Sequence, residues 1–311
     1  VLLLGSTSCR KNKNGDTTGN TAGTYYKTLT TSDGQNRSYI VYVPNNIEGQ
    51  DVPVLFMIHG TNQTGQVHYD KNLWNPKAQQ EGFIVVYPTA LSYCHYDAGN
   101  QRITTKWAAG DLGETDVNRG ALPVCTGEVV QDDMLFLDEL VGVIKQDYQV
   151  DTKRLYLTGF SNGAQMTARL AAQRSEVFAA ATVHAGNMSN FIPATLASRP
   201  MSIMLTVGAS DGLFLNAVGA TPPLAVDSSL MNITGIVNVL QPFLSVGGLD
   251  NTYTYLGTQY NGKDIADFKF ETSNNNLNNY LRFTVIDDLA HSYTDILIDP
   301  FWDFLKDKSL P

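Results

Sequence analysis

Two stretches of the chain are apolar without a break, residues 52–60 (VPVLFMIHG) and 82–88 (GFIVVYP), and a glycine or proline stops each one. That pattern belongs to a strand buried on both faces. Residues 37–44 (RSYIVYVP) alternate and end at proline, which predicts an antiparallel edge strand. Residues 155–158 alternate as a short strand does, and 178–186, 200–211 and 279–288 supply three more strand candidates. Apolar residues fall at helical spacing over 132–148 behind an acidic start, good helix formers run on from Asn162, and 298–307 reads as a closing helix. Buried strands alternating with helices predict an α/β domain, with a mostly parallel central sheet covered by helices on both faces. Residues 89–130 are rich in Gly, Asp, Asn and Thr and lack periodicity, so they form either a functional loop or a small surface excursion. Residues 212–278 carry few signals that place an element, and no internal repeat occurs.

The junction at 159–163 gives this frame a chemistry. Gly159-Phe160-Ser161-Asn162-Gly163 is a G-x-S-x-G pattern between a predicted strand and a predicted helix. A tight turn there forces the serine into a strained conformation, and flanking glycines remove the clash. The pattern alone also arises by chance at glycine-rich turns, so the rest of the chain has to decide. A serine hydroxyl needs a base to take its proton, and the base needs an acid to hold its tautomer. In α/β-hydrolases these follow in the order Ser, Asp or Glu, His. Asp211 ends the strand candidate IMLTVGASD, and His291 lies just past YLRFTVI. Both stand at strand ends, where open α/β sheets gather their catalytic groups. Asp250, Asp287 and Asp288 are rival acids, but Asp211 alone follows a buried strand directly.

A developing alkoxide needs N–H donors, each worth about 3 kcal/mol of barrier. The backbone N–H groups of Asn162 and of Thr61, in the loop after 52–60, are the expected pair. His59 reads as a structural hydrogen-bonder and His184 as structural or a pocket wall.

These residues resemble a known family. The blocks RSYIVYVP, VLFMIHGTNQTG, VDTKRLYLTGFSNG, FAAATVHAG, GASD and AHSY look like the exported esterases known as polyhydroxybutyrate depolymerases and feruloyl or acetylxylan esterases, over roughly residues 37–308. The resemblance implies an α/β-hydrolase fold, a triad of Ser161, Asp211 and His291, and a serine ester hydrolase working through an acyl-enzyme. It points to feruloyl or acetyl esters of plant polysaccharide, or to polyesters. Two departures bear on substrate more than on mechanism: Ser292-Tyr293-Thr294 stands where a Trp-Pro usually follows the histidine, and VGASD replaces an H-G-x-x-D turn. Tyr93, Tyr96 and Trp107 in the 89–130 segment offer aromatic faces to a sugar or aromatic acid. Trp107, Tyr93 and Tyr293 are therefore the candidate substrate-binding residues, with core packing as the alternative for Trp107. Two other readings stay open: a serine peptidase, and a catalytically silent cell-surface binding module on the same fold.

Composition bounds the rest. The 311 residues carry a net charge of −9, which argues against nucleic-acid binding. The start, VLLLGSTSC followed by a polar stretch, reads as the tail of a bacterial lipoprotein signal with its beginning missing. Cys9 is then the lipidated residue, 1–24 the remnant and tether, and 25–311 the catalytic domain. An ordinary secretory leader is the alternative. No other segment reaches the ~18 apolar residues of a membrane span. Of three cysteines, Cys94 and Cys125 remain as an expected disulfide of an exported protein. Neither they nor the five histidines show metal-ligand spacing, so no metal or cofactor is implied.

Overall fold

A computed structural model describes residues 20–113, 122–189, 197–260, 262–272 and 279–311. Cys9 lies outside them. The described elements in chain order are β1 (Gly23–Thr30), β2 (Asn36–Val43), β3 (Val52–Ile58), α1 (Gly65–Asp70), α2 (Trp74–Glu81), β4 (Ile84–Pro88), β5 (Ser92–Asp97), β6 (Asn100–Thr105), α3 (Asp133–Asp147), β7 (Val150–Phe160), α4 (Asn162–Gln173), β8 (Ala180–His184), β9 (Ser202–Gly208), α5 (Gly212–Val218), α6 (Thr234–Gly247), β10 (Tyr253–Tyr255), β11 (Thr258–Tyr260), β12 (Lys263–Phe270), β13 (Leu281–Ile286) and α7 (Ile298–Leu305).

One sheet runs in the order β1-β2-β4-β3-β7-β8-β9-β13-β12-β10, with β11 also on β12. From β4 through β13 neighbouring strands are parallel, and antiparallel strands extend both ends. The apolar run at 52–60 is explained by its two faces. Val54, Phe56 and Ile58 of β3 pack in one core with α3, α4 and α6, while Leu55 and Met57 pack in another with Trp74 and α7. Each such side chain, once buried, contributes roughly 1.5–3 kcal/mol. Among the described residues, no helix is long and apolar enough to cross a membrane.

The structure corrects or fills in the expectation in three stretches. β2, expected at an edge, is second from it, because β1 pairs along its outer side from Gly23↔Val43 to Thr30↔Asn36. Upstream of β1, the Asn20 amide already bonds the backbone at Gln149 and Gln50. The 89–130 segment contains the β5–β6 hairpin, turned at Ala98-Gly99 with both residues at positive φ, and Cys94 and Cys125 are joined by a disulfide. In the 212–278 stretch, α6 escapes notice because its Ile and Val residues and Pro242 argue against a helix, although its buried Ile236, Leu240, Phe243 and Leu244 keep helical spacing.

A buried ion pair ties β2 to α3. Arg37 bonds Asp133, both within 1% of full burial, and the guanidinium stacks 4.1 Å from the Phe136 ring centre. The other Asp133 oxygen accepts the Ala108 N–H at 2.7 Å. Removing one partner strands the other charge, so Arg37→Met is expected to lose about 3–5 kcal/mol in urea unfolding at neutral pH. Burial already pushes the Asp133 carboxyl up. Without Arg37 it takes up a proton more readily still, and the deficit should be smaller at pH 5 than at pH 8.

Candidate active site

Ser161 stands between β7 and α4 with φ 55° and ψ −121°, a strained conformation for a residue with a side chain. The two flanking glycines are required by contact. A Cβ on Gly163 would lie 2.2 Å from the Ile58 carbonyl oxygen, and one on Gly159 would lie 2.3 Å from Thr167 Oγ1 and 2.4 Å from the Gly163 carbonyl oxygen. The turn is held by the Ser161 N–H on the His184 carbonyl at 3.0 Å and by the Gln165 N–H on the Ser161 carbonyl at 3.1 Å.

Asp211 follows β9 and caps α5, its Oδ1 accepting the Leu213 and Phe214 N–H groups at 3.1 Å each. His291 follows β13, whose end is fastened to that of β9 by Ala209 N–H to Ile286 and Ser210 N–H to Leu289. The three side chains meet. His291 Nδ1 donates to Asp211 Oδ2 at 2.8 Å, which leaves Nε2 to accept from Ser161 Oγ at 2.9 Å. Asp211 is fully buried and His291 half-buried. Burial opposes ionisation of Asp211, but the bonds from His291 and the Phe214 N–H outweigh it and hold the carboxyl below its ordinary range. The aspartate is therefore charged at neutral pH.

A cleft of about 240 Å³ opens over Ser161 and His291, and Thr61, Asn162, Lys106, Gln165, Asn187 and Leu213 are among its walls. Thr61 and Asn162 thus both border the cleft. The Thr61 loop is shaped from below. The Gly60 N–H and His68 Nε2 both donate to Gln63 Oε1, at 3.0 and 2.9 Å, and the Asn62 N–H reaches the Thr105 carbonyl at 2.8 Å.

The three aromatic residues proposed to touch substrate are inside the protein instead. Trp107 is fully buried, with its indole N–H on the His59 carbonyl at 2.8 Å. Tyr93 is buried against Ala108, Leu112 and Val130, its hydroxyl accepting the Gln131 N–H. Tyr293 is buried, with its hydroxyl between Trp74 Nε1 and Thr158 Oγ1, each at 3.0 Å. Each polar tip finds its partner in the interior, so these rings brace the site without lining it. Sequence reasoning missed Lys106, Gln165 and Asn187. Asn187 was within reach, since it follows β8, the neighbour of β7, at the same end of the sheet. Gln165 lies one helical turn beyond Ser161. Lys106, which pairs with Asp111 at 2.8 Å, carries no comparable signal. Among the described residues, no cluster of His, Cys, Asp or Glu has the makings of a metal site.

Three buried histidines surround the site as neutral groups. His59 accepts the Ala90 N–H on Nε2 and donates to the Gly60 carbonyl from Nδ1; His184 donates to the Ser292 carbonyl and accepts from Thr206. Burial lowers His59 and His184 to about 4, and burial with the nearby Lys71 and His59 lowers His68 to about 3. An unfolded chain protonates its histidines near pH 6.5. Between these limits the unfolded chain binds more protons, so stability is full above about pH 7 and falls as pH drops toward 4. Each histidine contributes at most ~1.4 kcal/mol per pH unit. Unfolding free energies measured between pH 7.5 and 5 should show this slope, and His68→Gln should make it shallower.

Known proteins bear on this geometry. The family model described as Esterase PHB depolymerase matches residues 37–221, which include Ser161 and Asp211. The bifunctional acetylxylan esterase/xylanase of Neocallimastix patriciarum is 27% identical over 179 residues, 57% of this chain and 22% of that protein. Acetylxylan esterase A of Aspergillus ficuum is 29% identical over 147 residues, 47% of this chain and 41% of the relative. Poly(3-hydroxyalkanoate) depolymerase C of Paucimonas lemoignei is 28% identical over 151 residues, 49% of this chain and 31% of that protein. The alignments thus span less than half of each of these relatives. Among solved structures, an acetyl xylan esterase from Aspergillus awamori superimposes with a TM-score of 0.60 at 17% identity, over 92% of this chain and 99% of that one. An S-formylglutathione hydrolase from Agrobacterium tumefaciens gives 0.57 at 16% identity, over 91% and 93%. Identities that low speak for the fold alone, which is that of the α/β-hydrolases. By the match over 37–221, the chain belongs to the esterase family of the PHB depolymerases.

Proposed function

We propose that this protein is a serine carboxylic ester hydrolase acting on acetyl esters of a polysaccharide. The observation that carries the chemistry is the continuous hydrogen-bonded line from Ser161 Oγ through His291 to the buried Asp211. His291 Nε2 takes the hydroxyl proton as Ser161 Oγ attacks the ester carbonyl, while Asp211 holds the ring in the needed tautomer and steadies its charged form. The alkoxide that develops is met by the N–H groups of Asn162 and Thr61. The imidazolium returns its proton to the departing alcohol. Water, activated by the same ring, then releases the acid from the acyl-serine.

Substrate class is argued from the walls. The cleft is small and open, with Thr61, Lys106, Gln165 and Asn187 on a polar side and Leu213, Phe214 and Ala217 on an apolar one, while Trp107, Tyr93 and Tyr293 are buried beneath it. A short acyl group on an oxygen-rich alcohol fits such a surface better than an aromatic acid or an apolar polyester. The relatives named as acetylxylan esterases support the same choice. Export belongs to this reading, because a structural disulfide such as Cys94–Cys125 persists in oxidising compartments. A lipid on Cys9 is the proposed tether, and its test is labelled palmitate incorporated by the wild type and lost in Cys9→Ser.

Hydrolysis of p-nitrophenyl acetate is expected to fall about a thousandfold or more in Ser161→Ala and by a comparable factor in Asp211→Asn, with folding matched by circular dichroism. Acetate release from acetylated xylan should exceed cleavage of methyl ferulate and of polyhydroxybutyrate. Equal activity in Ser161→Ala and wild type would sink the mechanism. Faster cleavage of ferulate or polyester would overturn the substrate class.

A further inference from the structure

Beside Ser161 the cleft carries three amide side chains whose orientations are set one from the next. The Trp107 backbone N–H donates to Asn162 Oδ1 at 2.7 Å, and Asn162 Nδ2 reaches the Trp107 carbonyl at 3.3 Å. Main chain cannot turn over, so this two-point pairing fixes which end of the Asn162 amide is oxygen. Asn162 Nδ2 also faces Gln165 Oε1 at 3.2 Å, and Gln165 must then direct Nε2 to Asn187 Oδ1, at 3.3 Å. Asn187 in turn commits its oxygen to Gln165. Its NH₂ group, half-buried on the cleft wall, is the free end of the chain, without a partner among the described residues. Reversing Gln165 or Asn187 alone would set two donors or two acceptors against each other.

We infer that the Asn187 amide N–H groups are the specificity-determining contact of this cleft, and that they read an acceptor oxygen on the alcohol side of the ester, such as a hydroxyl, ring or glycosidic oxygen of a sugar. The inference rests on the ester-hydrolase reading and sharpens its substrate class. The Lys106 ammonium, also at the wall, is held toward Asp111 by an ion pair and keeps further N–H groups. The wall that α5 supplies, Leu213, Phe214 and Ala217, is apolar. The donor whose direction the hydrogen-bond chain itself fixes is the Asn187 amide. A site built to donate to a substrate oxygen discriminates against an analogue lacking it, because its donor is left unpaired.

Gln165 acts through Asn187 as a positioning residue, which allows a test by reversed polarity. In Gln165→Glu the new carboxylate still accepts from Asn162, but it has no N–H for Asn187. Asn187 must turn over to donate to it and then shows an oxygen to the cleft. The experiment compares kcat/KM for a monoacetylated methyl xyloside with that for cyclohexyl acetate, which has similar bulk and no further oxygen. Wild type, Gln165→Glu and the uncharged Asn187→Ala are assayed, with thermal melts to establish folding. The wild type should prefer the sugar acetate. Both variants should lower that preference about tenfold, mainly through KM, and Gln165→Glu should do so although Asn187 is intact. No preference in the wild type, or an undiminished preference in either variant, overturns the inference while leaving the hydrolase reading in place. Failure of the wild type to cleave either acetate overturns the hydrolase reading, and the inference falls with it.

Discussion

The strained turn at Ser161 is the constraint around which the rest of this structure is arranged. A φ of 55° at a serine costs about 1–3 kcal/mol, and the surrounding packing has to make every alternative worse. It does so by bringing main chain against main chain. Gly163 lies against the carbonyls of Ile58 and His59, so α4 starts directly beside the end of β3. Behind the turn, Ala164, Met166, Ala168 and Leu170 are fully buried, and their burial outweighs the local strain several times over. The same close approach brings Thr61 and Asn162 to the edge of one small cleft. Strain, helix docking and the placing of Thr61 and Asn162 are therefore one geometric fact.

A second layer of the site consists of buried polar groups that do not line the cleft. Trp107 shows why they are there. Its indole N–H holds the His59 carbonyl, its main chain pairs with the Asn162 amide, and the next residue, Ala108, is anchored by Asp133 of the buried ion pair. The segment after β6 is in this way bolted to both β3 and α4. On the other face, Tyr293 bonds Trp74 and Thr158, and His184 bonds the Ser292 carbonyl, so the two residues that directly follow His291 are held in place. Unmade buried hydrogen bonds cost more than made ones contribute, so such a network specifies one arrangement more strongly than it stabilises the fold.

Sequence patterns captured what depends on period and order. The runs at 52–60 and 82–88 are strands whose alternate residues enter different cores, and Ser161, Asp211 and His291 stand at three strand ends as their order implied. What escaped depends on which way a side chain faces. Tyr93, Trp107 and Tyr293 are as compatible with a pocket wall as with a core, because an aromatic ring with one polar atom suits both, and only the position of a partner decides. β1 escaped because an edge strand of Thr, Tyr and Lys, half exposed along its length, shows no buried face. Gln165 and Asn187 are 22 residues apart and meet only once β7 and β8 are paired.

The two kinds of polar group in this site are separated by burial, and the separation follows from what each has to do. The groups that hold position are neutral and sealed: His59, His68 and His184 have their charged forms suppressed by burial, so they stay fixed hydrogen-bonding partners across the range in which an exposed histidine titrates. His291 is left half-exposed at the cleft, and the fully buried carboxylate of Asp211 bonds its Nδ1. A neutral frame around the line of Ser161, His291 and Asp211 keeps the geometry of that line independent of pH across this range. It also keeps other charges from competing for the Asp211 carboxylate, whose remaining bonds among the described residues come from the Leu213 and Phe214 N–H groups that begin α5. The acid is thereby tied to the helix as firmly as to the base.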